Sequence, residues 1–107
     1  MKNQYKILAL RVALLIAYSE AEKFKTVEDD GTCNFDSPII YLEGWRRRDV
    51  LEAFKLTGLS PYFKDGGGVM IDGACNGFGA RRTAMAEAFR DSLRSLGYKA
   101  FVHYVID

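Results

Sequence analysis

Residues 37–59 have the sequence SPIIYLEGWRRRDVLEAFKLTGL, and the pattern of side chains changes in the middle of this stretch. Its first part, residues 39–42, is short, apolar and rich in β-branched and aromatic side chains, which is typical of a buried strand. Its second part, residues 46–57, places apolar side chains at helical spacing. A buried strand that leads directly into an amphipathic helix predicts a domain in which helices pack on a sheet.

Patterns on either side of this stretch predict further helices and strands. The full set comprises helices at about 5–26, 46–57 and 80–96, strands at 39–42, 69–71 and 98–106, and a strand or extended loop at 32–37. Gly58 before Leu59 has the form of a glycine cap on the second helix. The last strand is apolar on both faces, which predicts a central or covered position. We therefore expect a single α+β domain over residues 1–107, with a small mixed sheet of about three strands packed with about three helices.

The composition is that of an ordinary folded protein. The 107 residues include 15 lysines and arginines, 14 aspartates and glutamates, and 49% hydrophobic residues, for a formal net charge of +1. These values exclude intrinsic disorder and argue against an acidic DNA mimic or a basic nucleic-acid coat. Residues 1–44 carry 5 basic and 7 acidic side chains, whereas residues 45–107 carry 10 and 7. This asymmetry suits a protein partner with complementary patches.

The cysteines and the apolar N-terminal segment limit the cellular compartments in which we expect the protein. Cys33 and Cys75 are the only cysteines and His103 is the only histidine, so we expect neither a disulfide framework nor a four-ligand zinc site. Two free thiols suit a reducing compartment, and we expect a cytoplasmic protein without metal or cofactor. Residues 7–18 are apolar except at Arg11, and this run is too short to span a bilayer. The helical pattern that continues beyond it outweighs a secretory signal.

Two clusters of arginines stand where helices are predicted to begin. Arg46, Arg47 and Arg48 occupy the first turn of the second helix, where each cation opposes the helix dipole at a cost of about 0.3 to 1 kcal/mol. Either Asp49 and Glu52 compensate on a solvated face, or an anionic partner binds there.

Arg81 and Arg82 repeat the pattern after a glycine loop, and two such helix starts indicate a binding surface. The predicted partner-binding residues are Trp45, Arg46, Arg47, Arg48, Arg81, Arg82, and the acidic Glu28, Asp29 and Asp30.

The glycine loop at residues 73–79 resembles several catalytic motifs and satisfies none of them. It lacks the Gly-Lys-Ser/Thr ending of a phosphate-binding loop. Residues 73–77 match the small-x-nucleophile-x-small form of a nucleophile elbow, with Cys75 as the nucleophile and His103 as the base. A helix that begins several residues after Cys75, in so short a chain, makes a packed thiol the simpler interpretation.

Residues 32–107 resemble small proteins carried by phages and conjugative elements of Gram-positive bacteria. The resemblance is carried by TCNFDSP at 32–38, by RRTAMAEA at 81–88 and by the C-terminal stretch at 97–107. It departs from that pattern at Phe78, where the family commonly has an amide residue.

Some proteins of that kind are anti-CRISPR proteins that inhibit Cas9-type nucleases by binding. The resemblance implies a non-enzymatic inhibitor that binds a host Cas nuclease or its guide RNA complex and interferes with guide RNA loading or effector assembly. Two alternatives stay open. One is a small nucleic-acid-binding module with Trp45 and Tyr62 for stacking and the arginines for phosphates. The other is a cysteine-dependent hydrolase that uses Cys75 and His103.

Overall fold

Three α-helices and four strands follow one another along the chain. A computed structural model describes residues 2–28, 35–77 and 79–105. In chain order the elements are α1 (Lys2–Glu22), β1 (Ser37–Tyr41), α2 (Arg47–Phe54), β2 (Ser60–Phe63), a 3-10 turn (Asp65–Gly67), β3 (Gly68–Asp72), α3 (Gly79–Ser95) and β4 (Lys99–His103). No helix within these ranges is both long and apolar enough to cross a membrane, as predicted for the N-terminal segment.

The strands form one sheet in the order β2-β3-β1-β4, and each pairing is antiparallel. From β1 onward the chain therefore has the split β-α-β arrangement of ferredoxin-like domains, preceded by α1. The predicted α+β class and the three helices are confirmed. The sheet has four strands instead of about three, and it is antiparallel instead of mixed.

The two edge strands account for most of the difference from the predicted sheet. β2 contains Ser60 and Pro61, which predict that the preceding helix cannot continue and do not predict a strand. A proline is tolerated there because an edge strand has backbone groups that face away from the ladder. β4 was predicted to be central, but it is the other edge, and residues 99 and 101 on it are exposed.

The core lies between one face of the sheet and the helices. Ile40 of β1 is fully buried and pairs with Val69 of β3 on one side and Ala100 of β4 on the other. The helices cover this face with large buried side chains, among them Leu10, Leu14, Val50, Phe54, Met85, Phe89 and Leu93. Because side chains alternate along a strand, the neighbours of Ile40 in sequence point to the opposite face of the sheet.

The helix ends differ by a few residues from their predicted positions. α1 ends at Glu22 instead of residue 26, and α2 ends at Phe54 instead of residue 57. The C-cap of α2 is Lys55, and Leu56 takes the left-handed conformation after it (φ +67°), so Gly58 is not the cap. Thr57 closes the turn that follows, because its hydroxyl donates to the Phe54 carbonyl (2.6 Å) and accepts from the Leu59 amide (3.1 Å). At the end of α3 the predicted glycine is confirmed, since Gly97 has φ +93°.

Arg11 interrupts the apolar sequence of α1 because its side chain binds the C-terminal end of α2. Its guanidinium donates to the carbonyls of Glu52 and Ala53 in the last turn of α2, 3.4 Å away in the case of Ala53. The last carbonyls of a helix have no i+4 amide partner within the helix, and a cation there also interacts favourably with the negative end of the helix dipole. This contact holds α1 and α2 together.

Candidate functional site

The face of the sheet opposite the core carries a row of large side chains. Ile39 of β1 pairs with Met70 of β3 and with Phe101 of β4, and Met70 pairs in turn with Tyr62 of β2. In the part of the chain that the structure describes, the helices pack on the other face. Tyr62 is 63% exposed and Phe101 is 41% exposed, while Ile39 is buried by its neighbours in the row. We call this row, together with Tyr41, the open face.

Tyr41 extends the open face toward one end of the sheet. It pairs with Gly68 on one side and with Lys99 on the other. A Cβ atom on residue 68 would lie 3.2 Å from Cε1 of Tyr41, so the glycine gives the ring its place against the sheet. The ring meets that of Phe101 edge to face at a centroid distance of 5.6 Å, and the Lys99 ammonium lies 5.6 Å from its centroid.

The loops at this end of the sheet are rich in cations. Here β1 ends, β3 and β4 begin, and the chain turns into α2. We call the cations of these loops and of the adjoining turn of α1 the basic end: Lys6, Arg46, Arg47, Arg48, Lys64 and Lys99. The acidic side chains among the same loops are Glu43, Asp49 and Asp65. Cations therefore outnumber carboxylates by two to one in this part of the described structure.

The three consecutive arginines have different surroundings. Arg46 precedes α2, not within its first turn as predicted, and its Nε donates to the Asp49 carboxylate at 3.2 Å. The Arg47 guanidinium lies 4.2 Å from the ring centroid of Phe63. Arg48 is exposed and makes no ion pair or hydrogen bond with the described residues, so its charge faces solvent.

Trp45 is less available for stacking than the sequence suggested. Its ring is partly buried and packs against the hydrophobic core. The Lys6 ammonium lies 4.8 Å from the ring centroid on another side. A nucleobase that stacked on Trp45 would have to displace one of these contacts, so Tyr62, which is 63% exposed, is the better stacking surface.

Arg81 and Arg82 lie at the other end of the sheet and contact the backbone. The Arg82 guanidinium donates to the Asp36 carbonyl (2.7 Å) and to the Ser37 hydroxyl (3.0 Å), where β1 begins. Arg81 donates to the Val27 carbonyl at 2.9 Å. The structure therefore does not bring the two predicted arginine clusters together.

The predicted acidic group is only partly described. Glu28 is exposed at the end of the first described range. Asp29 and Asp30 lie outside the described residues.

A buried carboxylate connects β1, α3 and the end of the chain. Asp36 accepts a hydrogen bond from the Thr83 hydroxyl at 2.6 Å and another from the Val105 amide at 3.0 Å. Together with the Arg82 contact to its carbonyl, these bonds satisfy the polar atoms of Asp36 inside the protein. This network explains why the second arginine cluster is needed by the fold.

Cys75 and His103 do not form the pair that a cysteine hydrolase needs. Burial raises the pKa of Cys75 from 9.0 to about 11, against a smaller lowering effect of Arg82. An activated nucleophile requires the opposite shift. His103 pairs with Ser37 across the sheet, and the described residues show no hydrogen bond between the imidazole and the thiol. Nor do the described residues hold a cluster of three or more His, Cys, Asp or Glu side chains suited to a metal.

The open face contains residues that the sequence reasoning did not single out. Tyr41, Met70 and Phe101 occupy alternate positions on three strands, and the signal for them was the outward half of each strand pattern. The sequence predicted these side chains to be buried, because each run is apolar at inward and outward positions alike. No protein-family model, curated protein or solved structure matches this chain.

Proposed function

We propose that this protein binds single-stranded nucleic acid across the open face of its sheet. The observation that carries the proposal is the open face of a four-stranded antiparallel sheet, on which Tyr62 and Phe101 are exposed and which leads into the basic end. The Tyr62 ring is the most exposed of the row, whereas the Arg94 guanidinium lies 5.0 Å from the ring centroid of Phe101. RNA-recognition domains use the same kind of surface, in which bases stack on aromatic side chains that stand on the strands. Tyr62, Phe101 and Tyr41 offer three rings on three different strands, spaced along one face.

The charges of the basic end support binding of the phosphates of such a strand. Arg48, Lys64 and Lys99 are exposed cations of the basic end, and Lys99 also lies over the Tyr41 ring, whereas Arg46 is paired with Asp49. A strand whose bases lie on the sheet can run its phosphates toward these three cations. Each phosphate contact on a single strand contributes about 0.7 to the slope of log affinity against log salt concentration, so the proposal predicts a slope near −2.

Binding of a fluorescent ten-nucleotide RNA, measured by anisotropy over a range of salt concentrations, tests the proposal. Tyr62→Ala should weaken binding about tenfold, since stacking of one base on an aromatic ring contributes about 1 to 3 kcal/mol. Arg48→Ala should weaken binding and reduce the salt slope by about 0.7. The matched controls are Tyr5→Ala, which removes an exposed ring on α1, and Lys55→Ala, which removes a cation paired with Glu52.

The outcome that contradicts the proposal is equally concrete. If the wild-type protein does not bind the RNA or a DNA of the same sequence at low salt, the open face has another role. The same follows if the protein binds but Tyr62→Ala and Tyr5→Ala change the affinity equally. A duplex of the same length should bind weakly, because its bases are stacked inside the helix and only its phosphates are accessible.

Inhibition of a Cas9-type nuclease, which the resemblance implies, stays a prediction and has a test on the same surface. A guide RNA is one source of the single strand that the open face would bind. In a cleavage assay, the inhibitor hypothesis expects a block when the protein is added before the guide RNA and little effect when it is added after. The triple variant Arg46→Ala, Arg47→Ala, Arg48→Ala should lose the block while its thermal stability stays nearly unchanged.

A further inference from the structure

A shallow pocket of about 460 Å³ adjoins the open face at the basic end. It is lined by the aromatic residues Tyr41, Trp45 and Tyr98 and by the charged residues Glu43 and Lys99. Aromatic walls with a small number of polar groups, in a volume of about 300 to 1,000 Å³, are typical of a site for a small ligand. Because Tyr41 also belongs to the open face, the pocket continues the surface on which we propose that bases stack.

A tight turn between β1 and α2 places Glu43 at this pocket. The Trp45 amide donates to the Leu42 carbonyl at 3.2 Å, which closes a four-residue turn. Gly44, at the third position of the turn, has φ +76°, while Glu43 at the second position has no positive φ. This is the φ pattern of a type II turn, in which glycine is preferred at the third position. The turn therefore holds the backbone of Glu43 in a defined conformation beside the pocket.

The Glu43 carboxylate is unpaired although it belongs to a part of the surface that is rich in cations. It is exposed and makes no ion pair or hydrogen bond with the residues that the structure describes. Asp49, in the same loops, is paired with Arg46 at 3.2 Å. A surface that bound only phosphates would lose affinity from a free carboxylate, because the two like charges repel each other. An unpaired acceptor beside aromatic rings is instead suited to the hydrogen-bond donors on the edge of a base.

We infer that this pocket binds guanine and that Glu43 determines the preference, an inference that rests on the proposed binding of a single strand. An ionised carboxylate only accepts hydrogen bonds, and its two oxygens can accept from two neighbouring donors. The Watson–Crick edge of guanine has two adjacent donors, N1–H and the N2 amino group. Adenine, cytosine and uracil place an acceptor beside each donor on this edge, so none of them can donate twice to one carboxylate.

Lys99 complements the remaining group on the same edge of guanine. The O6 atom, next to N1–H, is an acceptor, and an ammonium is a donor. The Lys99 ammonium lies 5.6 Å from the ring centroid of Tyr41, so a base that stacks on this ring is within reach of the cation. An ammonium has three donors, so Lys99 can donate to O6 and still face a phosphate.

Ten-nucleotide RNAs test this preference. A strand of uridines is compared with strands in which one central uridine is replaced by guanosine, adenosine or cytidine, with affinities measured by fluorescence anisotropy. The guanosine strand should bind about tenfold more tightly than the adenosine strand, since a bidentate contact to one base discriminates by about this factor. A strand with inosine, which lacks the N2 amino group, should have an intermediate affinity.

Two variants that remove the same charge separate the hydrogen bonds of Glu43 from its general electrostatic effect. Glu43→Gln should lose the guanosine preference and bind the adenosine strand at least as tightly as the wild type does. Asp65→Asn is the matched control, because Asp65 is an exposed carboxylate of the basic end that does not line the pocket. This control should keep the preference. Both side chains are exposed, so we expect both variants to fold, which circular dichroism checks.

The outcomes distinguish this inference from the proposed function. Equal affinity of the wild type for the guanosine and adenosine strands, or a preference that survives Glu43→Gln, would overturn the guanine site and leave strand binding in place. If no strand binds, the proposed function fails.

The pocket can also be tested without a strand, by titration with guanosine monophosphate and adenosine monophosphate. Trp45 fluorescence reports on binding, because Trp45 is the only tryptophan and lines the pocket. Guanosine monophosphate should change the fluorescence at lower concentration than adenosine monophosphate does, and Glu43→Gln should abolish the difference. Equal responses to the two nucleotides would overturn the guanine site whether or not a strand binds.

Discussion

Asp36 should be the polar residue whose loss costs this fold the most. The carboxylate accepts two hydrogen bonds, from the Thr83 hydroxyl at 2.6 Å and from the Val105 amide at 3.0 Å, and it is almost completely buried. Hydrogen bonds to a charged group contribute about 1.5 to 3 kcal/mol each, and with about 1.5 to 2 kcal/mol for each of these two, Asp36→Ala should lower the free energy of unfolding by about 3 to 4 kcal/mol. A domain of this size has a stability of about 5 to 10 kcal/mol, so the variant should fold.

Urea denaturation measures this loss, with Trp45 as the probe because its ring packs against the core. For a slope of about 1 to 1.5 kcal/mol per molar urea, the midpoint should fall by about 2 to 4 M. Thr83→Val should cost about 1.5 kcal/mol, and the double variant should cost less than the sum, because both changes remove the same hydrogen bond. Asp72→Ala, at an exposed end of β3, should stay within about 0.5 kcal/mol of the wild type. A loss below about 1 kcal/mol at Asp36, or strict additivity with Thr83, would refute the network.

The remaining predictions concern three residues, Arg11, Cys75 and Gly97. Arg11→Met keeps the apolar character of α1 but leaves the Ala53 carbonyl without its donor and the Glu52 carbonyl with the Lys55 amide alone, so it should destabilise the protein by about 1 to 2 kcal/mol in the same urea assay, whereas Lys6→Met should have little effect. Cys75, in a chain with Cys33→Ser, should react with iodoacetamide at pH 8 about 100-fold more slowly than a thiol of pKa 9, because its raised pKa of about 11 leaves less thiolate; full reactivity at pH 8 would contradict the burial. Because the pKa of Cys75 is raised in the folded protein, folding favours the neutral thiol. The stability that this thiol contributes is therefore present below pH 9 and is lost as the pH rises through about 11. Gly97→Ala should cost about 1 kcal/mol because φ is +93° and no neighbour obstructs a Cβ, and Gly97→Asn should cost less; equal losses would point to packing instead of backbone strain.

The local pattern of the chain was sufficient to predict most elements, but not their places in the sheet. The strand at Ile40 and the helix at Phe89 follow from side-chain type and spacing alone, which act over a few residues. The edge position of β4 depends on which strands pair, and a strand such as Lys99–His103 carries no local mark of that choice. β2 was missed for a related reason, since a proline is unfavourable in a central strand and harmless at an edge.

The candidate site shows the same difference between what the local sequence pattern predicts and what tertiary contacts determine. Seven arginines matter here, and the sequence shows each of them only as a positive charge. Arg11, Arg81 and Arg82 donate to backbone carbonyls more than 40 residues away, and Arg94 donates to the Ala100 carbonyl of the following strand at 2.7 Å. A buried carbonyl that has lost its water needs such a donor, and a guanidinium can reach it while the outer part of its charge stays hydrated.

This division also determines which arginines a binding experiment should test. Replacing Arg82 removes two bonds that hold α3 to the start of β1, so lost binding would follow from a damaged fold. Replacing Arg48 removes only a solvated charge of the basic end, so a loss of affinity there reports on the ligand itself. The comparison of Arg48→Ala with Arg82→Ala, each measured for both unfolding and RNA affinity, should therefore separate the two roles: the first should change affinity without stability, and the second should change stability first. If both variants bind RNA as the wild type does, the basic end is a solvated face and the nucleic-acid proposal fails at its electrostatic step.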